Sequence, residues 1–288
     1  MKRHLTYIML AALAFLPASA GAIDLGQVIG SAVGGVQQLA QAAKEITPSE
    51  EHYIGRAVAA MIVAKYPLYD SPALTKYLND VGLLVAYASD RPTTYGGYHF
   101  AVLASDEPNA YACPGGIILV NKGLLKEVKD EDQLAAILGH EVAHVSHRHG
   151  IGAIKKDRWT KFAFYAAAEV GKQYTSDEIG QLVGEFQGVV SDVAKKVMES
   201  GYSKGDEKNA DENGMKFAYA AGYNPAGMID FIKAEDAKGI GSTKGPFSSH
   251  PKPDVRIKEL EKELSDLGGA TTDPSRTARF KSATASVK

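Results

Sequence analysis

The chain has 288 residues, of which 45% are hydrophobic and 23% are charged, and its formal net charge is −2. This is the composition of an ordinary globular protein, and the length is sufficient for one sizeable core or two small ones. Lysine and arginine are scattered along the chain and form no run of five or more, so we expect no nucleic-acid partner.

The first 20 residues have the pattern of an export signal. A positively charged region at residues 2–4 precedes an apolar run over residues 5–16, and residues 17–20 (PASA) supply a small-x-small cleavage site. The apolar run is shorter than the ~20 residues of a membrane-spanning helix. The single cysteine, Cys113, lies far from this region, so we expect neither a lipid-attachment cysteine nor an intrachain disulfide. We predict a signal peptide over residues 1–20, and hence periplasm or secretion.

The rest of the chain divides into a lead segment, one domain and a tail. Residues 21–48 contain glycines at four-residue spacing, which is typical of close helix packing in membranes, but the glutamines that follow favour a weakly helical or flexible lead segment. Residues 49–268 carry apolar stripes at helical spacing and two short apolar strands, and we assign them to one domain. Residues 269–288 lack apolar periodicity, so we predict a disordered tail.

Capping residues, apolar periodicity and terminating Gly or Pro residues predict the elements of this domain. The predicted helices cover residues 48–66, 72–85, 130–150, 206–221, 225–233 and 253–267, with further helical structure within 151–200. The predicted strands cover residues 98–103 and 117–120.

The segment between the two predicted strands has the composition of a sheet edge. Pro114, Gly115 and Gly116 favour an edge or a bulge, where backbone groups stay unpaired. Such an edge can hold an extended peptide by strand addition. We predict a substrate-binding edge that includes Asn109, Gly115, Gly116 and Ile117.

His140, Glu141 and His144 form an H-E-x-x-H motif in the run LGHEVAHVSHRHG. On a helix the two histidines lie one turn apart, with Cβ atoms roughly 5–6 Å apart, so both imidazoles can bind one metal ion. Glu141 is rotated by about 100° and can reach a water on that metal. With 8 histidines in 288 residues, a chance motif is on the order of one per cent, which favours zinc over a solvated helix end. We predict His147 and His149 to be surface or packing histidines.

A catalytic zinc usually has a third protein ligand. The arrangement H-E-x-x-H-x-x-G-x-x-H is excluded, because residue 147 is histidine and residue 150 is glycine. The other arrangement takes a glutamate from a later helix, often with an aspartate one turn on. Downstream of the motif only Glu207 has an aspartate four residues later, Asp211. Such a pair arises by chance about half the time, so spacing alone leaves the third ligand open.

The sequence around Glu207 resembles the second signature of the HtpX and CAAX-prenyl-protease family of zinc metallopeptidases. The pattern is Y-S-K-x-x-E-x-x-A-D-x-x-G over residues 202–214, followed by AGYNP. Residues 109–116 (NAYACPGG) are similar to the edge-strand segment of the family, and His250 with Arg256 matches a third block. The four blocks occur in family order and cover residues 49–268.

The resemblance implies an α+β, mostly helical, zincin-like metallopeptidase domain with a small β-sheet whose edge strand borders the active-site helix. It implies one zinc ion per chain with His140, His144 and Glu207 as ligands. Asp211 would fix the tautomer of a ligand histidine, and Glu141 would be the general base.

The family also implies roles for His250 and Arg256, as donors to the tetrahedral oxyanion. A second interpretation has His250 in the open position of the zinc, where it keeps the enzyme latent, and the sequence is compatible with both. Lys204 stands where arginine is more usual and Cys113 replaces a small apolar residue, but neither is a ligand.

Within the family, the chain looks closest to the soluble periplasmic branch, the BepA-like peptidases, without their helical repeats. This resemblance implies polypeptide substrates, namely unfolded or misassembled envelope proteins, including outer-membrane proteins, in the periplasm. The alternative is a zinc-bearing periplasmic chaperone or assembly factor that does not cleave. The intact Glu141 argues against it, because a structural site has no use for a base. Peripheral membrane contact and the oligomeric state stay open.

Overall fold

The computed structural model describes residues 45–154, 159, 176–238, 250–267 and 273–287. The predicted signal peptide and most of the predicted lead segment lie outside these residues. The helices are α1 (Pro48–Lys65), α2 (Pro72–Tyr87), α3 (Lys122–Glu127), α4 (Glu131–Ser146), α5 (Ser176–Lys195), α6 (Lys204–Ala220), α7 (Gly227–Ala237), α8 (Pro253–Leu267) and α9 (Pro274–Ala283). The strands are β1 (His99–Leu103), β2 (Ala110–Cys113) and β3 (Ile117–Asn121).

The helix-start signals in the sequence are confirmed. Thr47 and Glu50 form a capping box at the start of α1, in which each side chain satisfies a backbone N–H of the other residue. The Asp130 side chain accepts a hydrogen bond of 2.9 Å from the backbone N–H of Gln133 and so begins α4. Helix α4, which carries the H-E-x-x-H motif, therefore starts where its sequence predicts.

The sheet has the order β1-β3-β2, with β1 parallel and β2 antiparallel to β3. Strands β1 and β3 are the two that the sequence predicts. Strand β2 forms inside the segment that was predicted as an edge or bulge, and it is an edge strand. Side chains of β3 alternate between faces: Ile118 and Val120 enter the larger core, whereas Leu119 enters a smaller cluster with α1 and α5.

Helix α4 lies at the centre of the molecule. Each of its residues from Glu131 to Val145 is buried, and its apolar side chains belong to the larger core together with those of α2, α6 and α7. A helix that is buried on all sides can hold polar groups only where they are paired or bind a ligand. The burial of the H-E-x-x-H residues is thus a consequence of the position of α4.

The tail prediction is wrong for the part of residues 269–288 that the structure describes. Helix α9 forms there, and its Phe280 side chain is fully buried in the larger core. The Arg279 guanidinium donates to both carboxylate oxygens of Glu131 in the first turn of α4. The Arg276 guanidinium also donates to Asp132 at 2.7 Å. One buried aromatic ring and two ion pairs therefore hold this helix, and none of them produces the apolar periodicity that a sequence can show.

The predicted fold class is confirmed: the chain is mostly helical, with a small mixed sheet whose edge strand borders α4. Within the described ranges, no helix is long and apolar enough to cross a membrane.

Candidate metal centre

Three of the predicted ligands converge at one point. The Nε2 atoms of His140 and His144 are 3.0 Å apart on the buried face of α4. The Glu207 carboxylate reaches the same point from α6, with Oε2 3.6 Å from Nε2 of His140 and Oε1 3.8 Å from Nε2 of His144. Ligand atoms 2.0–2.1 Å from a tetrahedral zinc are roughly 3.4 Å from one another. The three distances therefore match a zinc site.

Two glycines allow α4 and α6 to approach closely enough for this convergence. A Cβ atom on Gly139 would lie 2.4 Å from the carbonyl oxygen of Gly214, and a Cβ atom on Gly214 would lie 2.5 Å from the backbone nitrogen of His140. Neither helix can carry a larger residue there without moving. Since Gly139 directly precedes the first ligand, the contact fixes the distance between the histidines and Glu207.

Asp211 and Arg256 fix the orientation of His140. The Nδ1 atom of His140 donates to Oδ1 of Asp211 at 2.8 Å, which leaves the Nε2 lone pair directed at the other ligands. Arg256 donates two hydrogen bonds of 2.7 Å to the Asp211 carboxylate. Burial opposes ionisation of Asp211, but the Arg256 guanidinium holds the pKa of this carboxyl well below its ordinary value.

The Arg256 guanidinium is therefore paired with Asp211, and its predicted role as a donor to the oxyanion stays a prediction. The sequence comparison placed it among the donors to the oxyanion, but its guanidinium is engaged by Asp211, and Arg256 is absent from the residues that line the cavity at the metal centre. Arg256 acts on His140 through Asp211. The predicted role of Asp211 as a partner of a ligand histidine agrees with the geometry.

His144 has its own partner, His149. The Nδ1 atoms of the two rings are 2.8 Å apart, and the Tyr202 ring stacks on His144 with centroids 3.9 Å apart. The His149 side chain is only 10% exposed. The sequence predicts a surface or packing histidine at this position. Only the turn that follows α4 brings it back.

Glu141 lines the same cavity as the three ligands and is nine-tenths buried. Burial raises the pKa of Glu141 to about 7, and the positive field of His140 opposes that increase. A general base is most effective when its pKa is close to the working pH. The cavity has a volume of about 170 Å³.

The predicted loop residue His250 also reaches this cavity. Its Nδ1 atom contacts Oε2 of Glu207, and its ring lies 5.3 Å from the His140 ring. Ligand atoms of His140, Glu207 and His250 all lie within 4.8 Å of one another. His250 thus contacts Glu207 and lies close to His140, in the cavity that all three ligands line.

The charges of the centre also suit a metal cation. The carboxylates of Glu141, Glu207 and Asp211 are all buried here, and Arg256 is the guanidinium that faces them. A buried excess of negative charge is costly unless a cation compensates it. Imidazole and carboxylate ligands at this spacing are those that zinc takes in peptidases.

Comparison with known proteins assigns the family. Residues 72–264, about two thirds of the chain, match the model of Peptidase family M48. The chain belongs to peptidase family M48.

Three relatives illustrate the range of this M48 similarity. A beta-barrel assembly-enhancing protease of Escherichia coli (strain K12) is 24% identical over 281 residues, which cover 93% of this chain and 53% of the relative. A protease HtpX homolog of Thermococcus kodakarensis is 25% identical over 232 residues, which cover 69% of this chain and 76% of the relative. The metalloprotease YcaL of Escherichia coli (strain K12) is 23% identical over 167 residues, which cover 58% of this chain and 62% of the relative. The chain spans about half the length of the beta-barrel assembly-enhancing proteases it matches.

In this M48 domain, β2 borders the metal centre through residues 109–112, which line the cavity. The backbone N–H of Asn121 donates to the Asn109 carbonyl. In an antiparallel pair every second residue bonds to the neighbouring strand. The backbone N–H and C=O groups of Ala110 and Ala112 therefore point away from β3, toward the outer edge of the sheet. The Ala112 carbonyl accepts a hydrogen bond of 3.4 Å from the Tyr202 hydroxyl. The Ala110 N–H donates to the Asn109 side chain at 2.9 Å. This edge is therefore short, partly bonded within the chain, and directly beside the ligands.

Three residues of the predicted edge lie elsewhere. Gly115 and Gly116 adopt left-handed conformations in a buried turn, where a Cβ on Gly115 would lie 2.7 Å from Cα of His52. Ile117 begins the central strand β3, which pairs on both sides. The glycines serve the turn between β2 and β3, and Asn109 alone among the four predicted edge residues lines the cavity.

Proposed function

We propose that this chain is a zinc-dependent endopeptidase that hydrolyses peptide bonds of unfolded or misassembled envelope proteins. The observation that carries the proposal is the convergence of two imidazole Nε2 atoms and the Glu207 carboxylate beside the buried carboxyl group of Glu141. Membership of peptidase family M48 supports it, because this family consists of metallopeptidases. His140, His144 and Glu207 would hold the zinc.

The residues of the centre have distinct roles in this reaction. Zinc, when bound, supplies a Lewis acid that lowers the pKa of water from about 15.7 to about 7. Glu141 takes a proton from the attacking water, whose oxygen bonds to the scissile carbonyl carbon. As the C–N bond breaks, Glu141 returns that proton to the leaving amine. Asp211 keeps the proton of His140 on Nδ1 throughout, so the ring stays a ligand.

The free edge of β2 would hold the substrate as an added strand. Its outward-facing groups belong to Ala110 and Ala112, and residues 109–112 line the same cavity as Glu141. The opposite edge of the sheet is covered, since the Asn79 side chain bonds to the backbone of Phe100 in β1. Main-chain pairing selects extended chains irrespective of their sequence, which suits unfolded polypeptides.

The cellular setting is also part of the proposal. Several relatives are named beta-barrel assembly-enhancing protease, and this name suggests envelope and outer-membrane proteins as substrates. This chain spans about half of those relatives, so it would share their peptidase chemistry, while their other segments could supply functions of their own. The signal-like sequence at residues 1–20 supports a periplasmic location.

A non-cleaving or latent zinc protein is the second candidate, and one observation favours it. His250 contacts the ligand Glu207 and stands inside the cavity that a scissile bond must enter. A chain in this state could bind an unfolded polypeptide on β2 without hydrolysing it. Such a protein would retain zinc and substrate affinity but would release no peptides.

Casein digestion distinguishes the two candidates. The purified protein is incubated with casein as prepared, after treatment with a chelator, and after addition of zinc to the treated sample. The endopeptidase proposal expects cleavage that the chelator abolishes and zinc restores. Casein that binds to the zinc-loaded protein but stays intact would support the non-cleaving candidate instead.

A further inference from the structure

We propose that His149 is a positioning residue of the metal centre, which holds His144 in the tautomer and orientation that a zinc ligand needs. This inference rests on the proposed zinc site and adds to it a residue outside the three ligands, the base and the Asp211–Arg256 pair. It concerns the affinity for zinc, so it can be tested without measuring proteolysis.

The first step in the argument is the direction of the hydrogen bond between the two rings. Nε2 of His144 faces Nε2 of His140 and the Glu207 carboxylate, so as a ligand it must carry a lone pair. The proton of a neutral His144 ring then lies on Nδ1, which donates to Nδ1 of His149 at 2.8 Å. His149 is therefore the acceptor that selects this tautomer.

The second step is the other nitrogen of His149. When Nδ1 of His149 accepts, its own proton lies on Nε2, and Nε2 is 3.9 Å from Oδ1 of Asp206. Asp206 directly precedes the ligand Glu207 and forms the capping box of α6 with Ser203. One line of contacts thus joins the end of α4 to the first turn of α6, the two helices that carry all three ligands.

The third step is the turn that places His149. After α4 the chain makes two reversed hydrogen bonds: His149 N–H to the His144 carbonyl at 3.0 Å, and Arg148 N–H to the Val145 carbonyl at 3.1 Å. This is the Schellman motif, in which the position that Arg148 occupies takes a left-handed conformation. Arg148 has a φ of 58°, although that region favours glycine. The turn folds His149 back over His144.

A buried carboxylate stabilises this unfavourable turn. Glu51 of α1 is fully buried, and its Oε2 lies 3.0 Å from Nε of Arg148. The Nη2 atom of Arg148 also donates to the Ile46 carbonyl at 2.6 Å. A left-handed conformation is unfavourable for a residue other than glycine and persists only where its surroundings hold it. Two contacts of the Arg148 guanidinium, with Glu51 and with the Ile46 carbonyl, therefore stabilise the left-handed turn that places His149 against His144.

The zinc dissociation constant of four proteins tests the inference. Wild type, His149→Ala, His149→Asn and His147→Ala are titrated against a fluorescent zinc chelator, and the thermal unfolding of each metal-free protein is recorded. Asparagine can present an oxygen acceptor close to the position of Nδ1, whereas alanine cannot. His147 is the matched control, because its Nε2 bonds to Asp90 at the surface, 3.1 Å away.

We expect His149→Ala to weaken zinc binding 10–100-fold, as is typical when the partner of a ligand histidine is lost. His149→Asn should recover most of that loss, and His147→Ala should bind as wild type does. Wild-type affinity in His149→Ala would overturn the inference. So would equal losses in the Ala and Asn variants at equal thermal stability, because ring packing would then explain the effect. Wild-type protein that binds no zinc would instead overturn the proposed function, and this inference with it.

Discussion

At the scale of single residues, the two ligand histidines are oriented by different chemistry. His140 donates to the carboxylate of Asp211, whereas His144 pairs with the imidazole of His149. A carboxylate partner raises the basicity of a ligand histidine more than a neutral ring does. Burial opposes protonation of His140, yet the hydrogen bond that its ring donates to Asp211 raises the pKa of His140 above its ordinary value.

Asp211 gives a pH-dependent prediction for the metal-free protein. Its pKa in the folded state lies below the ordinary value of 3.8, so ionised Asp211 stabilises the fold above that value and the contribution is lost as the pH falls. Asp211→Asn should lower the free energy of unfolding at pH 7 by about 3–5 kcal/mol, because Arg256 loses its buried partner. The difference in free energy of unfolding between variant and wild type should be smaller at pH 3 than at pH 7 by about 1 kcal/mol.

Denaturant unfolding of both proteins at pH 7 and pH 3 measures this gap. A gap that is small at pH 7, or that is unchanged at pH 3, would show that Asp211 and Arg256 do not form the buried ion pair described above.

His250 gives the second prediction at this scale. Its Nδ1 atom is directed at the ligand Glu207, and the ring narrows the cavity. A donor to the oxyanion would instead be directed at the substrate. We therefore expect His250→Ala to cleave casein several-fold faster than wild type at equal zinc content. Slower cleavage by the variant would show that His250 stabilises the transition state.

At the scale of elements, the metal centre depends on the contact between α4 and α6. Two ligands come from α4 and the third from α6, so the distance between the helices sets the size of the site. That distance is fixed where Gly139 and Gly214 meet without side chains. The sequence identifies the ligands through spacing together with the family resemblance, but it gives no role to either glycine.

Gly214→Ala tests this contact. The new Cβ atom would lie 2.5 Å from the backbone nitrogen of His140, so α6 must shift and carry Glu207 away from the histidines. We expect zinc affinity to fall at least tenfold, an effect of the size seen when ligand geometry is disturbed. The control is Gly205→Ala in the same helix, where the nearest atom to an added Cβ is 3.8 Å away. Equal zinc affinity in both variants would contradict the role of the contact.

At the scale of the whole molecule, the C-terminal helix completes the surroundings of α4. Buried Glu131, in the first turn of α4, accepts hydrogen bonds from the hydroxyls of Tyr77 and Tyr223 and from the Arg279 guanidinium. Burial and the bond to Glu131 raise the pKa of both hydroxyls, so they remain protonated donors. Helices α2, α4 and α9 are thus joined at one carboxylate.

Arg279→Ala would leave Glu131 buried without a cation. We expect the free energy of unfolding to fall by about 2–3 kcal/mol. This is less than the loss expected for a fully buried ion pair, because Arg279 is half exposed. Lys281→Ala, at an exposed position of the same helix, should change it by less than about 0.5 kcal/mol. Urea denaturation of wild type and both variants measures these free energies of unfolding. Equal stability of the two variants would show that the Arg279–Glu131 pair does not hold α9.

The elements that sequence reasoning predicts and those that it misses differ in physical cause. Strongly periodic segments such as α1 and α8 begin and end within one residue of the predicted positions, because periodicity and capping are local properties. Helix α4 begins where predicted but ends at Ser146, four residues before the predicted end at Gly150. Helix α9 is held by Phe280 and Arg279, and β2 is four residues long, so neither has a pattern to detect.

The same distinction holds within the metal centre. His140, His144 and Glu207 could be found from spacing and resemblance. His149 could not, because its contact depends on the left-handed turn at Arg148, which a glutamate almost 100 residues earlier stabilises. The pairing of Arg256 with Asp211 through two hydrogen bonds is likewise a tertiary contact, which spacing in the sequence does not predict.

Comparison of wild type with Glu141→Gln tests the central proposal most directly. The substitution removes the base but keeps the size and position of the side chain, and it leaves His140, His144 and Glu207 in place. Zinc content and casein cleavage are measured on the same preparations. We predict about one zinc per chain in both proteins and a loss of cleavage of at least a hundredfold in the variant. Cleavage by zinc-loaded Glu141→Gln at the wild-type rate would contradict the proposed mechanism.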